Sequence, residues 1–291
     1  MKQKKIFTYL FFSLIFFISC DEIDNPMEEN NEIIDTNIVF PVNENPVKKV
    51  LLEEFTGHKC GNCPPAAKKL EELHHTYGEK LISIAIHTGV FAATDENFPE
   101  DYSTSEGDEL NSFYGIESYP TALINRVEYN DNLVLPGAAT FWEDALKEII
   151  DKEQILEISI VNEFDTINRD LKTSVQIEFL KEFDDKLNLS IYLVENNIVS
   201  PQDNYSLGDD HYVENYVHKH ILRSTLNGTW GTELLESDLD NKKIVKTFLK
   251  ESLNEKWKME NCIIVAFVYD TETETESKER EIIQAEEKNI F

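Results

Sequence analysis

Cys60-Gly61-Asn62-Cys63 is the stretch of this 291-residue chain best equipped for chemistry. Two thiols at this spacing close to a disulfide. The two-residue spacer lets the second thiol reach a mixed disulfide formed on the first and resolve it. Such chemistry needs one thiol with a lowered pKa, and the flanking residues offer a way to lower it. Val50 to Phe55 reads as an apolar strand. Pro64-Pro65 is tolerated in a helix's first turn, Ala66 to Leu73 is strongly helix-forming, and Gly78 is a stop signal. The motif therefore opens a helix, whose free N–H groups and positive dipole end favour a thiolate on Cys60. His58 and Lys59 add positive potential beside it. On this reading Cys60 is the accessible, attacking thiol and Cys63 sits a turn deeper. Half a zinc site has the same spacing, with His74, His75 and His87 as further ligands. There is no second C-x-x-C, however, and two adjacent histidines on a helix face different ways, so no metal is assigned.

The remaining cysteines have other uses. Lys2, Lys4 and Lys5 precede an apolar run from Ile6 to Ile18, too short to span a bilayer and matching a signal segment. Ser19-Cys20 directly after it resembles a bacterial lipobox, with Phe17 where Leu is usual. The resemblance implies lipidation at Cys20, palmitate among the acyl chains, and anchoring to a membrane. Residues 1–19 are then a lipoprotein signal peptide. Residues 20–46, acidic and Asn-rich without periodicity, are a disordered tether. Cys262 begins the apolar run to Tyr269 and reads as a small residue of a buried strand.

Lys and Arg number 27 against 56 Asp and Glu, a formal charge of −29. That balance excludes nucleic acid as a partner and disfavours attraction to anionic lipid. The length suggests two domains of ~150 residues each. Strand and helix alternate from Val47 to Lys152, ending in an amphipathic helix with Ala145, Leu146 and Ile149 on one face. From Glu153 the pattern is all-β. Leu156, Ile158 and Ile160, then Val175, Ile177 and Phe179, then Leu187 to Leu193 alternate with polar residues. Further runs lie at 212–223, 243–249, 262–269 and 281–285. About seven strands fit an immunoglobulin-like sandwich over residues 153–291.

Tyr119-Pro120-Thr121 falls just before a strand, some way after the C-x-x-C. Together these elements resemble the thioredoxin superfamily. The resemblance implies an α/β thioredoxin-like fold for residues 47–152, with Pro120 cis and packed beside Cys60 and Cys63. Tyr119 and Thr121 would flank a groove for substrate. Glu54 matches the family's acid before Phe55 and becomes a candidate proton acceptor for Cys63; an ordinary exposed strand residue is the alternative. Leu51 to Ala67, Tyr119-Pro120-Thr121 with Asn125-Arg126, and His218 to Arg223 running to Asn227-Gly228-Thr229-Trp230-Gly231 resemble the outer-membrane-protein-twenty-eight-related lipoproteins of the Bacteroidetes. That resemblance covers nearly all of the mature chain and implies an outer-membrane lipoprotein.

Two functions follow as expectations. One is thiol–disulfide exchange with exported client proteins through Cys60 and Cys63, with Pro120 and Glu54 assisting and no cofactor required. The other is a surface binding or assembly protein in which the Cys60–Cys63 bond is structural. His218 and His220, two apart, are expected on one face of a strand as a metal or pH-sensing pair, or simply as a polar face. Asn227-Gly228 signals a turn, and Trp230 a core position.

Overall fold

The computed structural model describes residues 38–43, 46–137, 139–181, 186–234, 242–271 and 280–291. Cys20, the expected signal segment and the expected tether as far as residue 37 lie outside the described residues. Within them are three helices and fourteen strands. The first part of the chain runs β1 (Val50–Thr56), α1 (Cys63–Tyr77), β2 (Leu81–His87), α2 (Ser105–Tyr114), β3 (Thr121–Ile124), β4 (Leu135–Pro136) and α3 (Ala139–Ile149). Then come β5 (Leu156–Asp165), β6 (Asp170–Phe179), β7 (Leu187–Glu195), β8 (Ile198–Asp203), β9 (Tyr212–His218) and β10 (Ile221–Thr225). Last are β11 (Thr232–Leu234), β12 (Lys243–Lys250), β13 (Cys262–Asp270) and β14 (Ile282–Asn289).

One mixed sheet carries most of these strands, in the order β14-β13-β7-β10-β2-β1-β3-β4, with β11 added to β7. β1 and β2 are parallel, joined by α1, and every residue of both is buried. That is why they read as nearly continuous apolar runs: each face is covered. Alternation sorts their side chains. Val50 and Leu52 point to a core with Leu70 and Leu73 of α1 and Trp142 and Leu146 of α3. Leu51 and Phe55 point the other way, to Leu110 and Tyr114 of α2. A second sheet, β12-β6-β5, packs its Leu156, Ile158, Val175 and Ile177 against Leu189, Ile191, Ile264 and Ala266 of β7 and β13. β8 and β9 form a separate antiparallel hairpin.

The expected fold class, an α/β thioredoxin-like domain followed by an all-β immunoglobulin-like sandwich, is corrected by this arrangement. The strands of the first part are one end of a sheet whose other end belongs to the second. β2 pairs in parallel with β10 at Ala85 and Ile221, and Ala85 N–H donates to the His220 carbonyl at 2.7 Å. The core under α2 is shared: Leu51 and Ile84 of the first part lie in it with Tyr192, Val194, Leu222 and Phe267 of the second. The division expected at residues 152 and 153 falls between α3 and β5, but pairing and core both cross it. Periodicity identifies strands; it does not name their neighbours across 130 residues of chain.

Polar residues secure the junction. Arg126 donates to both carboxylate oxygens of Glu53, at 2.7 and 2.6 Å, with both side chains sealed from solvent. Its guanidinium lies over the rings of Phe267 and Tyr269 of β13, at 5.1 and 5.3 Å. Leu51 N–H donates to Asn125 Oδ1 at 2.8 Å, and Asn125 Nδ2 donates to the Ile282 carbonyl at 2.9 Å, tying β1 to β14. Asn227, expected only as a turn residue, also grips β7: its Oδ1 accepts from Ile191 N–H and its Nδ2 donates to the Leu189 carbonyl.

Candidate functional site

Cys60 and Cys63 form a disulfide at the start of α1. The N-cap is Asn62, and Cys63 N–H already donates to the Cys60 carbonyl at 3.0 Å. Pro64 and Pro65 contribute no N–H, so this helix start offers fewer donors to a thiolate than an ordinary one. The neighbouring cations are also engaged elsewhere. Lys59 pairs with Asp95 at 2.7 Å. His58 is buried and stacked on Phe98, its Nε2 donating to the Ala93 carbonyl, and burial holds its pKa below the usual imidazole range. The potential expected from His58 and Lys59 is therefore smaller than their adjacency to Cys60 implies.

Both cysteines are buried, Cys60 and Cys63 each 2% exposed, so Cys60 is not the open thiol that the sequence suggests. The cover comes from the other half of the chain. Asp203 N–H donates to the His58 carbonyl and Tyr205 N–H to the Gly61 carbonyl, both at 2.8 Å. Between them, Gln202 Nε2 donates to the Cys60 carbonyl at 3.1 Å and reaches the Gly57 carbonyl at 3.3 Å. The Tyr205 ring lies on Gly61 so closely that no side chain fits there. Gly57 is required on the opposite flank, where a Cβ would meet the Phe91 main chain at 2.5 Å. The end of β8 and the turn after it thus form a strap along the C-x-x-C loop. No periodicity in residues 198–210 announces that role.

Beside the disulfide is a cavity of ≈ 730 Å³ between α1 and the β9–β10 turn. Cys63 lines it, with Glu54, His74, His87, His218 and His220. Glu54 is 3% exposed, its Oε1 has no hydrogen-bond partner among the described residues, and burial pushes its pKa up to about 8. The alternative of an ordinary exposed strand residue is thereby removed. His87 Nδ1, His218 Nε2 and His220 Nδ1 are buried and unpartnered too. Burial lowers the His218 pKa to about 4 and the His220 pKa to about 3, and carries His87 well below its usual value. These imidazoles are neutral at pH 7.

His218 and His220 do not share a strand face. β9 ends at His218, and His220 turns at φ 56° before β10 begins. His218 meets His87 edge to face at 5.6 Å, while His220 stacks on His74 at 5.2 Å. Among the described residues no group of three His, Cys, Asp or Glu is arranged to hold a metal ion. His74 is half-buried against Ser83, and His75 is exposed.

Tyr119–Pro120 is a cis peptide. Pro120 is buried, and its carbonyl accepts from Gly137 N–H at 2.8 Å. The Tyr119 hydroxyl donates to Asn111 Oδ1 at 2.6 Å, and its ring meets Phe91 at 5.7 Å. Phe91 in turn accepts from Lys59 N–H. Tyr119 is thus joined to the C-x-x-C loop through the turn at 89–91. Thr121 is buried as the first residue of β3. Cys262 is buried at the start of β13, its pKa pushed up to about 12 by desolvation. Trp230 is half-buried beside the α2 core, its indole N–H donating to Glu109 at 2.5 Å.

A mixed sheet with helices on both faces, a three-stranded sheet packed on one end and a strapped disulfide describe the chain's architecture. The chain belongs to the outer membrane protein Omp28 family, whose model matches residues 107–289. Its location is the outer membrane of the cell envelope. The matched stretch holds Tyr119-Pro120-Thr121, Arg126 and His218 to Gly231, and begins after the Cys60–Cys63 pair. Comparison with curated proteins gives no match. Among solved structures, HBP35 of Porphyromonas gingivalis is similar with a TM-score of 0.61 and 21% identity, over 84% of this chain and 76% of that one. A crystal structure of an Agrobacterium tumefaciens protein is similar with a TM-score of 0.50 and 14% identity, over 85% of this chain and 96% of that one. At these identities the likeness is one of fold.

Proposed function

We propose that the chain is a lipid-anchored outer-membrane protein that performs thiol–disulfide exchange with exported proteins through Cys60 and Cys63, held to the membrane by Cys20. The observation that carries this reading is a buried, unpaired carboxyl group, Glu54, on the same cavity as a disulfide closed over only three residues. A disulfide that closes so short a loop contributes little to stability, since the entropic gain grows with loop length. A buried carboxyl without a partner costs stability. The combination therefore points to chemistry more than to reinforcement.

In the reducing direction, the Cys60 thiolate attacks a client disulfide and forms a mixed disulfide, releasing one client thiolate. Cys63, giving its proton to Glu54 in its ionised form, then attacks Cys60 Sγ. The S–S bond moves onto the pair, the second client sulfur leaves as a thiolate, and the client is reduced while the pair is oxidised. The oxidising direction is the reverse. A Glu54 pKa near that of a free thiol makes the proton transfer close to balanced. Pro120, with Tyr119 and Thr121, shapes the groove, and no cofactor enters. For a client to reach Cys60 the strap has to lift.

Trapping in the native compartment tests this reading. Cys63→Ser should hold clients as mixed disulfides on Cys60, Cys60→Ser should hold no protein, and Cys20→Ala should leave the membrane fraction. The second reading, a binding or assembly protein with a structural disulfide, is favoured by the burial of both cysteines and by the strap along the loop that holds Cys60. It expects no trapped client from either variant.

A further inference from the structure

We propose that the Cys60–Cys63 pair has a second entrance, and that the cavity on the Cys63 side admits a low-molecular-weight amino-acid-type thiol, or its disulfide, which resets the pair without lifting the strap. This rests on the redox reading above and adds a second substrate class to it.

The two sulfurs face different surroundings. Asp203 and Tyr205 are bonded along the loop that holds Cys60, Gln202 reaches from the cavity wall to the Cys60 carbonyl, and Cys60 itself is not part of that wall. Cys63 is part of it. A space of ≈ 730 Å³ is within the range that encloses small ligands, and is too confined between α1 and the β9–β10 turn for a folded client. Its inner polar atoms are unsatisfied. Glu54 Oε1, His87 Nδ1 and His218 Nε2, on side chains at most 4% exposed, have no partner among the described residues. Buried polar groups are normally hydrogen-bonded, so three on one cavity describe a site complementary to a polar guest. At the mouth are Lys68, Glu71 and Lys219, with Lys219 paired to Glu71 at 2.7 Å. Both signs of charge stand ready there for the carboxylate and ammonium of an amino-acid thiol. Pro64, Ala67 and Leu70 supply the apolar wall.

The step balances. A small thiolate attacks Cys63 Sγ, the Cys60–Cys63 bond breaks, and Cys60 leaves as a thiolate. A second small thiolate attacks the sulfur of the first, releasing Cys63 as a thiolate that takes the Glu54 proton. Two small thiols are oxidised to one small disulfide, and the protein disulfide is reduced to two thiols. Run backwards, a small disulfide oxidises the pair.

The experiment uses the mature full chain and L-cystine as the probe, with adducts mapped to peptides by mass spectrometry. Cys63 in Cys60→Ser should be labelled about ten-fold or more faster than Cys60 in Cys63→Ser, because only Cys63 faces the cavity. Ala67→Phe, placed on a half-exposed helix position at the cavity wall, should slow that labelling about ten-fold, with the circular dichroism spectrum unchanged. Tyr205→Ala, on the strap but outside the cavity wall, should speed labelling of Cys60 and leave that of Cys63 as it was. Equal rates at the two cysteines, faster labelling of Cys60, no labelling at all, or indifference to Ala67→Phe would each overturn the second entrance. Failure of the client-exchange reading shows differently: no protein is trapped on Cys60, although cystine still labels Cys63.

Discussion

Glu54 and the histidines around it show how burial sets chemistry one residue at a time. Its neighbour Glu53 sits on the opposite face of the same strand and is fully paired with Arg126. Among the described residues Glu54 has no such partner, and desolvation alone raises its pKa to about 8. In the unfolded chain it titrates near the ordinary value of 4.5. Below that pH both states are protonated, and the stability linked to this group is fully present. Between about 4.5 and 8 the unfolded chain loses the proton and the folded chain keeps it, so stability falls with rising pH by a few kcal/mol in all. Glu54→Gln should flatten that decline, measured as urea-unfolding free energy from pH 5 to 9. A slope unchanged in the variant would mean that Glu54 is ionised in the folded protein. The same variant should slow resolution of a Cys60-linked mixed disulfide by about 10² or more, the usual worth of a positioned proton acceptor.

At the scale of elements, the hairpin of β8 and β9 matters most. It pairs with itself, outside both larger sheets, and spends its outer bonds on the C-x-x-C loop. Tyr205 and Leu207 beyond it are each more than half exposed, although Tyr205 also covers Gly61. The strap itself is tied to the C-x-x-C loop by two main-chain bonds and the Gln202 side chain, each net worth ~1 kcal/mol, while β9 is held separately by the Tyr212 hydroxyl donating to the Asn97 carbonyl and by His218 packed on His87 and Tyr102. Replacing Gln202 and Tyr205 by Ala should raise the rate at which a maleimide labels Cys60 of the reduced protein by about ten-fold or more. Labelling of Cys262, buried at the start of β13, should not change. If Cys60 is labelled equally fast in both proteins, the strap is not what shields it.

The whole molecule unfolds as its sheet is built. One sheet and one shared core span the two parts, and the Glu53–Arg126 pair sits between them under the rings of β13. Urea unfolding should therefore be a single transition, with circular dichroism coincident with fluorescence from Trp142 in α3 and from Trp230 and Trp257 in the second part. Two separated transitions would restore the independent domains that the sequence suggests. Arg126→Met leaves Glu53 buried without a partner and should lower stability by about 3–5 kcal/mol, shifting the one transition without splitting it.

Local pattern in the sequence determined the elements. The alternation through Leu156 to Ile160 and Val175 to Phe179, the apolar-rich runs of β1 and β2, and the helix signals after Cys63 each describe a few neighbouring residues, and periodicity is a property of neighbours. The C-x-x-C was legible for the same reason. Tertiary structure decided what those elements meet. The parallel joining of β2 to β10, the reach of Arg126 to β13 and the grip of Asn227 on β7 are long-range choices that a short window cannot encode. So is the site: Glu54 is a buried acid, and His87, His218 and His220 are neutral lining of one cavity, each with one ring nitrogen unpartnered among the described residues, only because α1 and the β9–β10 turn close over them. Gln202 to Tyr205 carries no motif at all. Its role as the strap exists because the fold lays that stretch along Cys60, more than a hundred residues away in the chain.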